Sequence, residues 1–471
     1  MSSTSLRALA CILAACGTMT AITATAAPAV PPPVPAFGAT PTVSNVTLSP
    51  SSRILASAYS GKQVTIVLLD LDARKIAHSI KFDQGMKLRD LEFANDETLI
   101  AVLTTTVAMP DDKDDKREVP ATFAIRTADG SSQLLLSPET NKRMVPGSQQ
   151  ILSYRTSTPG EMLMQARMTD RGSGIRSATA PIEGIEQVML SVDTRTGKSR
   201  IVMKAGPQTA GWIVDTDGKV VARVDRERKT ETTTLLARRG DAFVQIHERT
   251  GRQFRPVGYD PARDSIIAID SDEGARAKAW SIPLDGSAAR VLYEDLQFDV
   301  EGTIFDRTGS LLGLRLGGLD QRFHWFDQDA RSRQEWVSAA FPGRRLSIDR
   351  YRTAGRALVG VSGSGYPGTY YLVDFATGRA EAAGQEYPQL AGIALGEVRL
   401  IDYKARDGYS IPAYLTLPPG IPAKGLPMVV LPHGGPEARD GLRFDWWAQF
   451  LASRGYLVLQ PQFRGSTGFG E

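Results

Sequence analysis

The residues best suited to chemistry stand near the C-terminal end, where Met428-Val429-Val430-Leu431-Pro432 runs into His433-Gly434-Gly435-Pro436. Glycines after a strand let the backbone come close to another molecule, although a tight turn alone would use the same letters. The other histidines are His78, His247 and His324, and no two of the four have metal-ligand spacing. Each of those three falls in or beside a strand pattern, where packing is the expected role. Cys11 and Cys16 are the only cysteines and both lie in the first residues, so neither a disulfide nor a thiolate metal site is expected in the folded part. No cofactor is expected either. Serine hydrolases of the nucleophile-elbow type need Gly-x-Ser-x-Gly. No such pentapeptide occurs; Gly360-Val361-Ser362-Gly363-Ser364 fails at its last position.

The elements around His433 follow from pattern. Val398-Arg399-Leu400-Ile401-Asp402-Tyr403-Lys404-Ala405 and Ile411-Pro412-Ala413-Tyr414-Leu415-Thr416-Leu417 flank an Asp407-Gly408 turn and read as a hairpin. Met428 to Pro432 reads as a strand buried on both faces. Trp446, Trp447, Phe450 and Leu451 recur at helical spacing, with Gly455 where a C-terminal cap belongs. Tyr456-Leu457-Val458-Leu459 returns as a strand and leads into Gln462-Phe463-Arg464-Gly465-Ser466-Thr467-Gly468. Strand, glycine turn, helix and strand make a parallel βαβ unit.

Together, Leu431-Pro432-His433-Gly434-Gly435-Pro436, Arg439-Asp440, Arg454-Gly455-Tyr456 and Gln462 to Gly468 resemble the prolyl oligopeptidase family of serine peptidases. The likeness is nearest its acylaminoacyl-peptidase and dipeptidyl-aminopeptidase-like branch, and in motifs it covers about 75 residues. It implies a propeller of seven or eight blades followed by an α/β-hydrolase domain with a Ser-Asp-His triad. It also implies that His433 presents a group on the oxyanion side of the site, with Gly434 and Gly435 in the same loop. Acyl transfer builds negative charge on a carbonyl oxygen, and preorganised donors aimed at it supply the largest catalytic term. The triad is expected beyond Glu471, so residues 397–471 read as an incomplete hydrolase start and the chain alone as catalytically inactive. The Met428 strand would then lack a neighbour, leaving an apolar edge and the Trp446/Trp447 face uncovered.

Residues 43–390 carry a repeat. A strand ending in a polar turn recurs, as in Leu68-Leu69-Asp70-Leu71-Asp72, Ser191-Val192-Asp193-Thr194-Arg195-Thr196-Gly197 and Leu372-Val373-Asp374-Phe375-Ala376-Thr377-Gly378. A second turn signal precedes it, as at Asp215-Thr216-Asp217-Gly218 and Asp306-Arg307-Thr308-Gly309. Together they give about seven units near the roughly 45-residue period of a propeller blade. The fold class is mainly β: a seven-bladed β-propeller, with eight as the alternative count, followed by the α/β-hydrolase start. An unclosed β-rich array or two β-sandwiches would use similar strands. Helical periodicity is nearly absent here, and Asp111 to Glu118 reads as a solvated loop.

The first residues read as an address. Arg7, an apolar run from Ala8 to Ala15, and Ala24-Thr25-Ala26 before Ala27 fit a signal peptide over 1–26. Leu13-Ala14-Ala15-Cys16-Gly17 also resembles a lipobox, with Cys16 as the lipidation site and the sole link to a membrane. Either reading exports the chain to the periplasm or beyond. The Pro-rich stretch 27–42 reads as an extended tether. With 55 basic and 52 acidic residues and no basic run interleaved with aromatics, nucleic acid is not an expected partner. Peptides are the substrates that the resemblance implies. The alternative is a non-catalytic propeller binding module with a vestigial hydrolase segment, and an esterase of the same fold ranks third. The long 169–184 stretch could reach toward the hydrolase cleft.

Overall fold

The computed structural model describes residues 31–109, 112–136, 144–145, 147–169, 185–272, 275–349, 355–435 and 437–469. The leader 1–26 with Cys16, the start of the tether and nearly all of 169–184 lie outside the described residues.

Seven antiparallel sheets follow one another along the chain, at 43–81, 87–135, 150–205, 209–250, 255–293, 300–325 and 345–385. Each is a meander of consecutive strands, and all but the sixth have four. The turn signals sit where a meander needs them. Asp215 to Gly218 and Asp306 to Gly309 join first to second strands, and the aspartates ending third strands close the next turn. Asp70 Oδ1 accepts the N–H groups of Asp72 and Ala73 at 3.0 and 2.8 Å. Asp374 does the same for Ala376 and Thr377, both at 3.0 Å. A short carboxylate satisfies donors that the tight turn leaves unpaired. Those N–H groups, Ala73 foremost, hold the Asp70 carboxyl below its ordinary value.

Each pair of neighbouring blades encloses its own apolar layer, including the pair formed by the first blade and the seventh. At that closing seam Leu48 and Leu55 of blade one meet Leu358 of blade seven. No strand is shared across it: Val43–Leu48 pairs with Ile54–Tyr59, and Arg379–Gln385 pairs with Tyr366–Asp374. The seam is closed by packing, with one backbone bond from Thr42 N–H to Glu386 O at 2.6 Å. Across one mouth of the ring, Arg307 of blade six donates to Glu92 of blade two at 2.8 Å, and its carbonyl accepts from Arg155 at 2.7 Å.

Within residues 31–385, three segments differ from the sequence expectation. Helix α2 (Gln328–Ala340) takes the place of a fourth strand in blade six, capped by Asp327, whose side chain accepts the Ala330 N–H. Its buried residues Ala330, Gln334 and Val337 make a stripe too short and too polar to register as periodicity. The charged run expected as a solvated loop is strand from Asp112 onward, in a long hairpin with Thr98–Met109. Glu118 there draws Lys87 and Arg89 of blade two onto its carboxylate, which repays an extended conformation in so polar a segment. Finally, part of the expected tether is helix α1 (Val34–Gly38), opened by prolines and docked by Phe37 against Phe450 at 5.9 Å between ring centroids.

The eighth sheet lies beyond the propeller, with spatial order Val398–Lys404, Ser410–Thr416, Leu457–Pro461, Met428–Val430. Met428–Val430 and Leu457–Pro461 run parallel, joined by helix α3 (Trp446–Ala452), as the βαβ pattern requires. Met428–Val430 is not buried on both faces. It is the edge strand, with Met428 52% and Val430 54% exposed. Trp446 and Trp447 stack on each other and are also about half exposed.

Candidate active site

The His433 loop begins where the Met428–Val430 strand ends, and the Phe463 to Gly468 turn begins where its parallel neighbour ends. Carboxyl ends of parallel strands are where open α/β sheets place their crevices. The two motifs meet there through side chains. The His433 ring stacks on Phe463 at 4.3 Å, its Nε2 lies 2.7 Å from Ser466 Oγ, and its Nδ1 lies 2.9 Å from Gly434 O. Both ring nitrogens are therefore engaged inside the loop pair, which fixes the ring's orientation. Ser466 is buried and also contacts Phe463 O at 2.6 Å.

What the loop turns outward is backbone. Gly434 and Gly435 are exposed, and among the described residues no acceptor is bonded to either N–H. Gly435 has φ +142°, and a Cβ there would sit 2.8 Å from Glu437 N, so only glycine fits that bend. Gly434 has open space where a side chain would stand. One glycine turns the chain, and the other keeps its approach clear. Two N–H groups without a bonded acceptor among the described residues, at the carboxyl end of a parallel strand, can stabilise a developing oxyanion.

Side chains that no motif announced hold this loop in place. Gln462 accepts the Asp440 N–H at 3.2 Å and donates to Asp440 O at 3.0 Å, tying the segment after the loop to the Leu457–Pro461 strand. Asp445 caps α3 through the N–H groups of Trp447 and Ala448, and takes a third bond from Gln460 at 2.9 Å. Gln449 and Gly396 exchange two bonds in the interior, at 2.7 and 2.9 Å. Gln449 and Gln460 interrupt apolar runs, which signals a buried polar group but not its partner, so sequence reasoning missed these pairings. Burial pushes the Asp440 carboxyl up, partly offset by nearby His433.

This unit sits on the rim of blades six and seven. Arg439 grips Glu301 through both guanidinium nitrogens. Tyr414 donates to Leu319 O at 2.6 Å, and Ser364 Oγ accepts the Val398 N–H at 2.7 Å. Gly317 lies so close to Gly468 that a Cβ would fall 2.4 Å from its carbonyl oxygen. Between the rim and the 439–444 segment is a cavity of about 640 Å³. Among the described residues no three His, Cys, Asp or Glu side chains converge as metal ligands would.

The remaining histidines stay in the blades. His78 contacts Ala128 O at 3.1 Å, His247 lies by Phe254, and His324 stacks on Tyr293 at 3.8 Å. Burial lowers the pKa of His324, with Asp295 pulling weakly the other way. A histidine whose folded pKa is depressed binds fewer protons than the unfolded chain, so stability is whole above the ordinary value near 6.5 and falls as pH drops below it. His324→Phe, which keeps the stack, is expected to flatten the acid side of a melting-temperature profile between pH 7.5 and 5.5. An unchanged slope would remove His324 from the account.

Comparison with known proteins agrees with this architecture. No protein-family model matches the chain. It is 29% identical over 293 residues to the dipeptidyl aminopeptidase BIII of Pseudoxanthomonas mexicana, covering 59% of this chain and 42% of that one. Over 65 residues it is 40% identical to the acylamino-acid-releasing enzyme of Sus scrofa, covering 14% and 9%. The chain thus spans less than half the length of these curated relatives. Among solved structures, a puromycin-hydrolyzing peptidase of Mycobacterium tuberculosis superposes with TM-score 0.61 at 16% identity, over 91% of this chain and 67% of that one. The acylaminoacyl peptidase of Pyrococcus horikoshii gives 0.60 at 13%, over 92% and 66%. At such identities the structural likeness speaks for the fold.

Proposed function

We propose that this chain, a relative of the dipeptidyl aminopeptidases and acylaminoacyl peptidases of the prolyl oligopeptidase family, supplies the propeller and the oxyanion-side loop of an exported serine peptidase. The observation that carries this reading is the His433 loop, with two unengaged N–H groups at the carboxyl end of a parallel strand, pinned to a propeller rim by Arg439 and Glu301. Hydrolysis through an acyl-serine needs a nucleophile, a base and an orienting carboxylate. We place all three beyond Glu471, in keeping with relatives longer than this chain. The propeller then covers the site and screens out large folded substrates. Export rests on the 1–26 leader, with Cys16 as a candidate lipid anchor.

The test is made on the native polypeptide in its source cells. Envelope fractions are treated with a fluorophosphonate probe, and the polypeptide is captured with an antibody raised against the propeller. A labelled species roughly 20 kDa heavier than 51.0 kDa is expected, since a hydrolase domain would take about another two hundred residues. An unlabelled species no heavier than 51.0 kDa would instead favour a non-catalytic binding propeller. Recovery in the cytosol alone would overturn export.

A further inference from the structure

The cavity between the propeller rim and the 439–444 segment has an excess of cations that the structure leaves unpaired. Arg315 and Arg345 enter it from blades six and seven, and Arg443 from the segment ahead of α3. Among the described residues none of the three makes a side-chain hydrogen bond or an ion pair. The other two arginines there are occupied, Arg439 by Glu301 and Arg322 over the Phe298 ring at 4.5 Å. Two more carboxylates line the space. Asp320 is one; Glu386 is the other, where burial favours the protonated form while Tyr370 and the nearby charge of Arg443 pull the other way. Burial and then the proximity of Arg443 lower the pKa of Arg345. Packing guanidinium groups together in a half-buried space costs energy unless an anion joins them. Guanidinium is also the group whose fork of donors matches a carboxylate.

We propose that Arg315, Arg345 and Arg443 form a subsite for a carboxylate of the peptide substrate, either its C-terminus or an acidic side chain. The ligand's identity as a peptide rests on the peptidase reading above, whereas the anion preference rests on the cavity alone. The subsite lies beside the His433 loop's own continuation, so a bound carboxylate would fix how far a peptide extends past the site of cleavage.

Binding is measured by calorimetry at low salt on the full-length native polypeptide, after its reactive serine has been blocked with a small fluorophosphonate so that no turnover occurs. Four acetylated tetrapeptides serve as probes: all-alanine as free acid and as C-terminal amide, and an amide with one glutamate or one glutamine inside. A carboxylate peptide is expected to bind at least tenfold more tightly than its amide counterpart. A preference confined to the first pair assigns the C-terminus, and one confined to the second assigns the side chain. Arg345→Met should reduce the preference to under threefold and Arg345→Lys should restore part of it, with unchanged melting. If Arg345→Met does not fold, Arg443→Gln carries the same expectation. Equal binding within both pairs overturns the subsite. A preference retained in a protein that no fluorophosphonate labels would overturn the peptidase reading and leave the subsite standing.

Discussion

Leu48→Ala is expected to cost about 3 kcal/mol, within the range of large-to-small substitutions at fully buried leucines, and to open the ring at one place. Leu48 has no exposed surface and stands in the layer between blades one and seven. Every other layer joins blades that follow directly in the chain, so a loosened contact there is still tethered nearby. Among the described residues, blades one and seven are held together by packing, the Thr42 to Glu386 bond and one exposed ion pair, Arg74 to Glu381 at 3.6 Å, which adds little. Opening of this seam should therefore require less than global unfolding. In the Leu48→Ala chain, hydrogen exchange should accelerate most in Val43–Leu48 and Arg356–Gly363, and least in Ser265–Asp270 across the ring. Uniform acceleration would show that the seam is no weaker than the rest.

The second large effect is expected from Glu301→Gln. Arg439 and Glu301 keep only 20% and 30% of their side-chain surface exposed. Removing the glutamate charge leaves a guanidinium stranded in a site that already disfavours it, since burial lowers the pKa of Arg439. Breaking a buried pair costs about 3–5 kcal/mol, and partial exposure reduces this to roughly 2 kcal/mol here. The loss should appear as undocking, with protease cutting the connector between residues 386 and 397 while the blades stay intact. The double change Glu301→Gln with Arg439→Gln should cost less than the single one, because no unpaired charge remains. A double variant as unstable as the sum of two singles would mean that the side chains matter for shape alone.

Legibility in the sequence followed physical locality. The blades were readable because each turn is written in a few adjacent letters: Asp70 and Asp374 bond residues two and three positions on. The βαβ unit was readable because apolar runs and the Gly455 bend repeat a familiar order. Helix α2 was not, since blade six buries only a stripe of it. The uncovered edge at Met428 and Val430 was expected from the resemblance, which implied a missing neighbour; the apolar run alone suggested burial on both faces, because it states what a strand could bury and not which neighbours it has. At the site, the His433 and Ser466 motifs could be named separately, but nothing local says that they touch across 33 positions of sequence. Arg315, Arg345 and Arg443 are three ordinary arginines until the ring brings their positions to one cavity.

The docking of Phe37 on Phe450 has a consequence for the order of events during synthesis. These rings belong to the first and last parts of the described chain, with the whole propeller made between them. At roughly 5–20 residues per second, about 20–80 s separate their appearance. For most of that time helix α1, five residues long and too short to persist alone, lacks both surfaces it rests on, the 387–395 segment and Phe450. The blades must form while helix α1 is undocked, and a segment made ahead of the whole propeller is among the last to find its place.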